Sequence, residues 1–158
     1  MKRTQIINEL KRFFAYKELV CPHVLARFGS EAWFIIPTFW LETILVIRTE
    51  ILKRPMICNN YSSPNGVYTQ RGTRCNLCQI VKEETMNGLC YQSAHFNNVG
   101  NDFTVVGLNA EQARKEIIAK KHLLPYPIRL ESGVNWLHVD GYDYDNGNKI
   151  NFFTEPYK

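Results

Sequence analysis

The chain has 158 residues, 45% of them hydrophobic and 13% aromatic, which is enough for one globular core and too little for two. Nineteen Lys and Arg against fifteen Asp and Glu leave a net charge of +4, and no run of five or more basic residues occurs. That mild balance argues against nucleic acid as a partner and is compatible with an anionic polymer.

The first ten residues begin with basic side chains but lack the unbroken apolar run and small-residue cleavage site of a secretory signal, so synthesis in the cytoplasm is expected. Ile6, Ile7, Leu10, Phe13 and Phe14 form a helical stripe over residues 4–14. The greasiest stretch, 32–52, is interrupted by Pro37, Glu42, Arg48 and Glu50, which predicts a buried helix and no membrane span. That helix is expected from about 38 to 52, with Trp40, Leu41, Ile44, Leu45, Ile47 and Ile51 on its apolar face and Pro55 ending it.

Residues 56–58 read as a short strand and 60–66 as a turn-rich loop. Asn109 with Gln112 three positions on is a capping box that opens a helix to about 122, closed by Pro125 and Pro127. Strands are expected over 128–131, 134–140 and 149–153. On the second of these, Trp136, His138 and Asp140 share one face and Leu137 and Val139 the other.

Two histidines and a carboxylate stand out as candidate metal ligands: His95, Asp102 and His138. This mixed nitrogen and oxygen set is the kind a catalytic zinc prefers, three protein ligands leaving a fourth position for water. The Asn- and Gly-rich segment 96–101 favours a loop, so His95 is expected on that loop and Asp102 at the entry of a strand running through Val106. His23 and His122 read as ordinary hydrogen-bonded histidines.

Cys21, Cys58, Cys75, Cys78 and Cys90 are an odd set, expected as reduced thiols. The Cys75-Asn76-Leu77-Cys78 spacing suits a zinc knuckle or a redox pair, but Cys58 and Cys90 stand alone and supply no second knuckle. Small buried thiols are therefore the expectation.

Ser93, His95 and Asp102, followed far downstream by Trp136-Leu137-His138, resemble the motif of the zinc D-alanyl-D-alanine peptidases, Ser-x-His-x-x-Gly-x-Ala-x-Asp and then Trp-x-His. That family includes carboxypeptidases, vancomycin-resistance dipeptidases, phage L-alanoyl-D-glutamate endolysins and the similarly folded hedgehog signalling domain. The chain departs from the motif at Asn98 and Gly100, where glycine and alanine are expected. Gly72-Thr73-Arg74 looks like the family's Gly-x-Arg segment, whose arginine contacts substrate, with Arg71 as a structural neighbour. The likeness runs from about residue 55 to the C-terminus and leaves 1–54 unexplained.

The resemblance implies an α+β fold of hedgehog and peptidase type, a small antiparallel sheet with packed helices. Length and composition give one domain over 1–158, read as a helical part (1–54) packed on a zinc-site core (55–158). Zinc would be held by His95, Asp102 and His138, with Arg74 on the substrate. The implied activity is hydrolysis of peptide bonds in bacterial peptidoglycan by a phage or prophage lysis enzyme acting at the cell wall. The alternative is a non-catalytic, zinc-containing binding module of the same fold.

Many family members carry an acid three positions before the second histidine, but here that position is Asn135, which cannot accept a proton. In the hedgehog-like arrangement the glutamate comes earlier, just before a turn; residues 131–138 look similar, so the resemblance implies Glu131, before Ser132-Gly133, as the general base. A turn of two or four residues would pair it with Val134 or Trp136, on the face of His138 in either case. Asp140 is the alternative base, or a partner that orients a ligand histidine.

Overall fold

Apolar spacing puts Ile6 and Leu10 on the inner face of α1 (Arg3–Leu10), one turn shorter than the stripe suggested. In the computed structural model, which describes residues 1–154, α1 lies against α3 (Thr38–Val46). Trp40, Leu41, Ile44 and Leu45 of α3 are buried, and each such large side chain contributes roughly 1.5–3 kcal/mol by leaving water. The helix continues as a π-helical turn, Ile47–Ile51, and ends at Lys53, whose φ of 53° turns the chain out.

Pro37 breaks the greasy stretch as expected from its missing N–H and fixed φ. Upstream of it lie α2 (Pro22–Phe28) and a 3₁₀ segment, Gly29–Ile35, neither of which the sequence pattern revealed. The helical segments on either side of Pro37 are bent by 83° to one another. Among the described residues no single helix is long and apolar enough to cross a membrane.

Among the described residues five strands follow: β1 (Met56–Ile57), β2 (Gly100–Val105), β3 (Ile128–Glu131), β4 (Leu137–Asp140) and β5 (Ile150–Phe153). Their order is β1-β2-β4-β3-β5. The architecture is α+β. The expected all-antiparallel sheet is in fact mixed, because β5 returns parallel to β3, Glu131 pairing with Phe153.

Helix α4 (Gln79–Met86) was not legible beforehand, whereas α5 (Ala110–Ala119) starts on the expected capping box. There Asn109 Oδ1 accepts from Gln112 N at 2.8 Å and Gln112 Oε1 accepts from Asn109 N at 2.9 Å. Ala113 and Ile117 face the core, and one continuous cluster of buried apolar residues runs from Ile6 through α3 to Val139.

Candidate functional site

Asp102 is the third residue of β2, not its entry, because Gly100 and Asn101 already have strand geometry. A Cβ at Gly100 would meet Ala94 Cβ at 2.8 Å, so only glycine lets the strand start this close to the loop that carries His95. Asn101 is fixed from the other side by the Trp40 indole, which donates to its Oδ1 at 2.8 Å. Asp102 then pairs directly with His138 across β2 and β4. Directly opposed residues share a face, which brings their side chains together.

The donor atoms of His95, Asp102 and His138 all lie within 4.8 Å of one another, and all three residues are buried. His95 Nδ1 is 2.9 Å from the Gly72 carbonyl. A carbonyl can only accept, so Nδ1 carries the proton and Nε2 turns its lone pair toward Asp102 Oδ2, 3.4 Å away. His138 Nδ1 lies 2.7 Å from Asp102 Oδ1, and its Nε2 lies 3.0 Å from Asp140 Oδ2. Each imidazole thus has its outer nitrogen fixed by an oxygen acceptor, the arrangement that orients metal-ligating histidines.

Asp140 is held in turn by Arg129, which donates from Nε and Nη2 at 2.9 Å each. This places Asp140 as the orienting partner of His138.

The electrostatics follow from burial and pairing. Burial alone would lower the His138 pKa, but hydrogen bonds to Asp102 and Asp140 outweigh it and raise the value to about 9. His95 is lowered, chiefly by desolvation. Asp102 is driven the other way: burial would raise it, yet the two histidines hold it well below the usual carboxylate range. Asp102 and His138 pair as a carboxylate beside an imidazolium. Two imidazole nitrogens and a carboxylate could hold a divalent cation, which would take the place of the His138 Nδ1 proton, so the donor set fits the group.

Arg74 and Glu131 flank this set. Arg74 donates from Nε to the Gln70 carbonyl at 2.8 Å and from Nη1 to the Tyr91 hydroxyl at 2.6 Å, leaving Nη2 3.9 Å from Asp102 Oδ2. Its backbone N–H bonds the His95 carbonyl at 2.9 Å. A cleft of about 220 Å³ opens here, lined by Val67, Tyr68, Gln70, Arg71, Arg74 and Asp102. Arg71 is a scaffold for its wall, lying over the Tyr68 ring and donating to Thr104 Oγ1 at 2.8 Å.

Glu131 is buried on β3. The β3–β4 register pairs Arg129 with Asp140 and Leu130 with Val139, and one further step sets Glu131 opposite His138 on the same face. The connection is thus longer than the two- or four-residue turn expected, and β4 starts at Leu137 and not at 134. The cause is Arg114 of α5, whose buried guanidinium donates to the carbonyls of Glu131, Val134 and Trp136 at 3.1–3.2 Å and gathers the chain into a loop.

A second group went unrecognised in the sequence. Cys21, His23, Cys75 and Cys78 come together with one donor atom each within 4.8 Å of the others, a set able to hold a metal ion. Cys75 and Cys78 thus lie beside a third thiol and the exposed His23, whose Nδ1 is 3.8 Å from Cys78 Sγ. The Cys21 thiol is pulled below its ordinary value, first by its hydrogen bond with Cys78, while the Cys78 value rises. Cys58 is the contrast: burial pushes it up to about 12 and leaves it an inert thiol. The missed signal was Cys-x-His at 21–23 matched to Cys-x-x-Cys at 75–78, two half-sites more than 50 residues apart in the chain.

Compared with family models, curated proteins and solved structures, the chain matches none.

Proposed function

We propose that the chain is a zinc peptidase that hydrolyses peptide bonds of bacterial peptidoglycan. The observation that carries the reading is the convergence of His95, Asp102 and His138, each held by a further partner, beside an arginine and a glutamate. The substrate class rests on the resemblance of the Ser93–Asp102 and Trp136–His138 motifs to the D-alanyl-D-alanine peptidases.

His95 through Nε2, Asp102 through a carboxylate oxygen and His138 through Nδ1 would hold the zinc. A zinc ion so held supplies a water acidified toward neutral pH and a Lewis acid for the scissile carbonyl. Glu131, on the face of His138, accepts the proton of the attacking water and returns it to the leaving amine. Arg74, pinned by Gln70 and Tyr91 at the cleft, holds a substrate carboxylate or the developing oxyanion. Asp140 keeps the His138 ring in place and takes no proton from the reaction, because, against its burial, hydrogen bonds with His138 and then Arg129 hold its carboxyl below the usual range.

Defined muropeptides incubated with the protein and resolved by mass test this directly. New peptide termini that vanish with a chelator and return with zinc are expected. Binding to the wall without any release would leave the non-catalytic module as the better reading.

A further inference from the structure

We propose that Cys21, His23, Cys75 and Cys78 form a second, structural zinc site that ties the N-terminal segment to the loop carrying Arg74. It stands independently of the hydrolase reading, since it uses none of the same residues.

The geometry points to a metal and away from a disulfide. Cys21 Sγ and Cys75 Sγ are 3.7 Å apart and Cys78 Sγ is 3.8 Å from His23 Nδ1. A tetrahedral zinc with bonds of about 2.3 Å to sulfur puts two sulfurs roughly 3.8 Å apart, whereas a disulfide needs about 2.05 Å. Three thiols and one imidazole are the soft, mixed set that favours zinc over magnesium or calcium.

The Cys75–Cys78 turn is also built to hold negative sulfur. Cys75 N donates to Cys78 Sγ and Leu77 N donates to Cys75 Sγ, both at 3.4 Å, and Cys78 N closes the turn onto the Cys75 carbonyl at 3.0 Å. Backbone donors aimed at sulfur stabilise the thiolate that a metal requires. Metal binding then releases the thiol protons to solvent.

The location gives the site its purpose. Cys21 and Cys75 each follow closely on a main-chain junction: Val20 bridges Thr73 in parallel, and Thr73 N donates to the Leu19 carbonyl at 2.9 Å. Gly72 makes this approach possible, since a Cβ there would sit 2.4 Å from the Leu19 carbonyl oxygen. The Gly72 carbonyl is the one that fixes His95, and Arg74 directly precedes Cys75. Thr69 and Gln70 line both the cleft above Asp102 and a hollow of about 370 Å³ bordered by His23 and Cys78. One loop thus links the two centres, and residues 1–54 acquire a role as the other half of its clamp.

The test uses the full chain. Wild-type protein dialysed against trace zinc should hold two zinc ions per chain, falling to one in Cys75→Ser/Cys78→Ser and to one in His138→Ala. Cobalt provides the discriminating probe, because only the cysteine site gives strong thiolate-to-cobalt charge-transfer absorption. Wild type and His138→Ala should both show that band. If the cysteine double variant does not fold, wild type and His23→Ala carry the test, the latter with its band weakened or shifted. A cobalt-loaded wild type with no thiolate band, or a thiol titration showing Cys21 and Cys75 oxidised to a disulfide, overturns the proposal. Absence of hydrolysis by zinc-loaded wild type whose cobalt form shows the band would count against the peptidase reading alone.

Discussion

The two candidate metal centres are built in opposite ways. His95, Asp102 and His138 sit on or beside the central strands, Asp102 and His138 locked face to face by the β2–β4 ladder, with oxygen acceptors behind both rings. Cys21 and His23 stand at the start of α2, Cys75 lies in a turn and Cys78 precedes α4, and the two segments meet beside the Val20–Thr73 bridge. The first has its side chains fixed by named partners, His95 by the Gly72 carbonyl and His138 by Asp102 and Asp140. In the second, the sulfurs lie against one another, the His23 ring and backbone amides. A preorganised site of harder donors beside a cleft suits turnover, whereas a thiolate site at a junction of loops suits holding the chain together.

His138→Ala separates the two most sharply: hydrolysis should disappear and one zinc should be lost, while the zinc of the cysteine site is kept and the chain still melts in one cooperative transition. Metal analysis and thermal denaturation of the same preparation check it. Glu131→Gln should keep both zinc ions and lower turnover by roughly 10²-fold or more, the scale of general acid and base catalysis. If Glu131→Gln is near wild type and Asp140→Asn is inactive with its zinc retained, the two acids have exchanged roles.

Asp140→Asn should instead weaken zinc at the strand-built centre by about 10- to 100-fold, as the loss of a partner behind a ligand histidine does. Competition with a chromophoric chelator reads this affinity. The same substitution should leave the cobalt–thiolate band unchanged.

The smallest effect is a pH dependence of the metal-stripped protein. Its His138 has a folded pKa of about 9 against an ordinary 6.5. A raised folded pKa contributes stability that is fully present below about 6.5 and is lost as pH rises through about 9. Melting temperatures of stripped protein should therefore fall across that window. Zinc-loaded protein should not follow, because the metal takes the place of the proton.

Much of the strand-built centre was legible because its determinants are local. Alternation on β4 already put His138 and Asp140 on one face, and the Asn109–Gln112 capping box marked the start of α5. The length of the 131–138 connection was not legible, since it depends on Arg114 reaching across from α5 to three carbonyls. Asp102 was misplaced by a few residues for a similar reason: Trp40, some 60 positions upstream, holds Asn101 in the strand. The cysteine group was hidden because each half carries only two ligands, and nothing in local periodicity says that Val20 will lie along Thr73.

The central claim is that the strand-built centre breaks peptide bonds of the cell wall. Purified peptidoglycan digested by wild type and by Glu131→Gln, with free amino groups and reducing ends measured in the same samples, addresses it most directly. New amino groups without new reducing ends, abolished by a chelator and nearly absent with Glu131→Gln, are the expected result. A rise in reducing ends without new amino groups, or no release at all from zinc-loaded wild type, would contradict it.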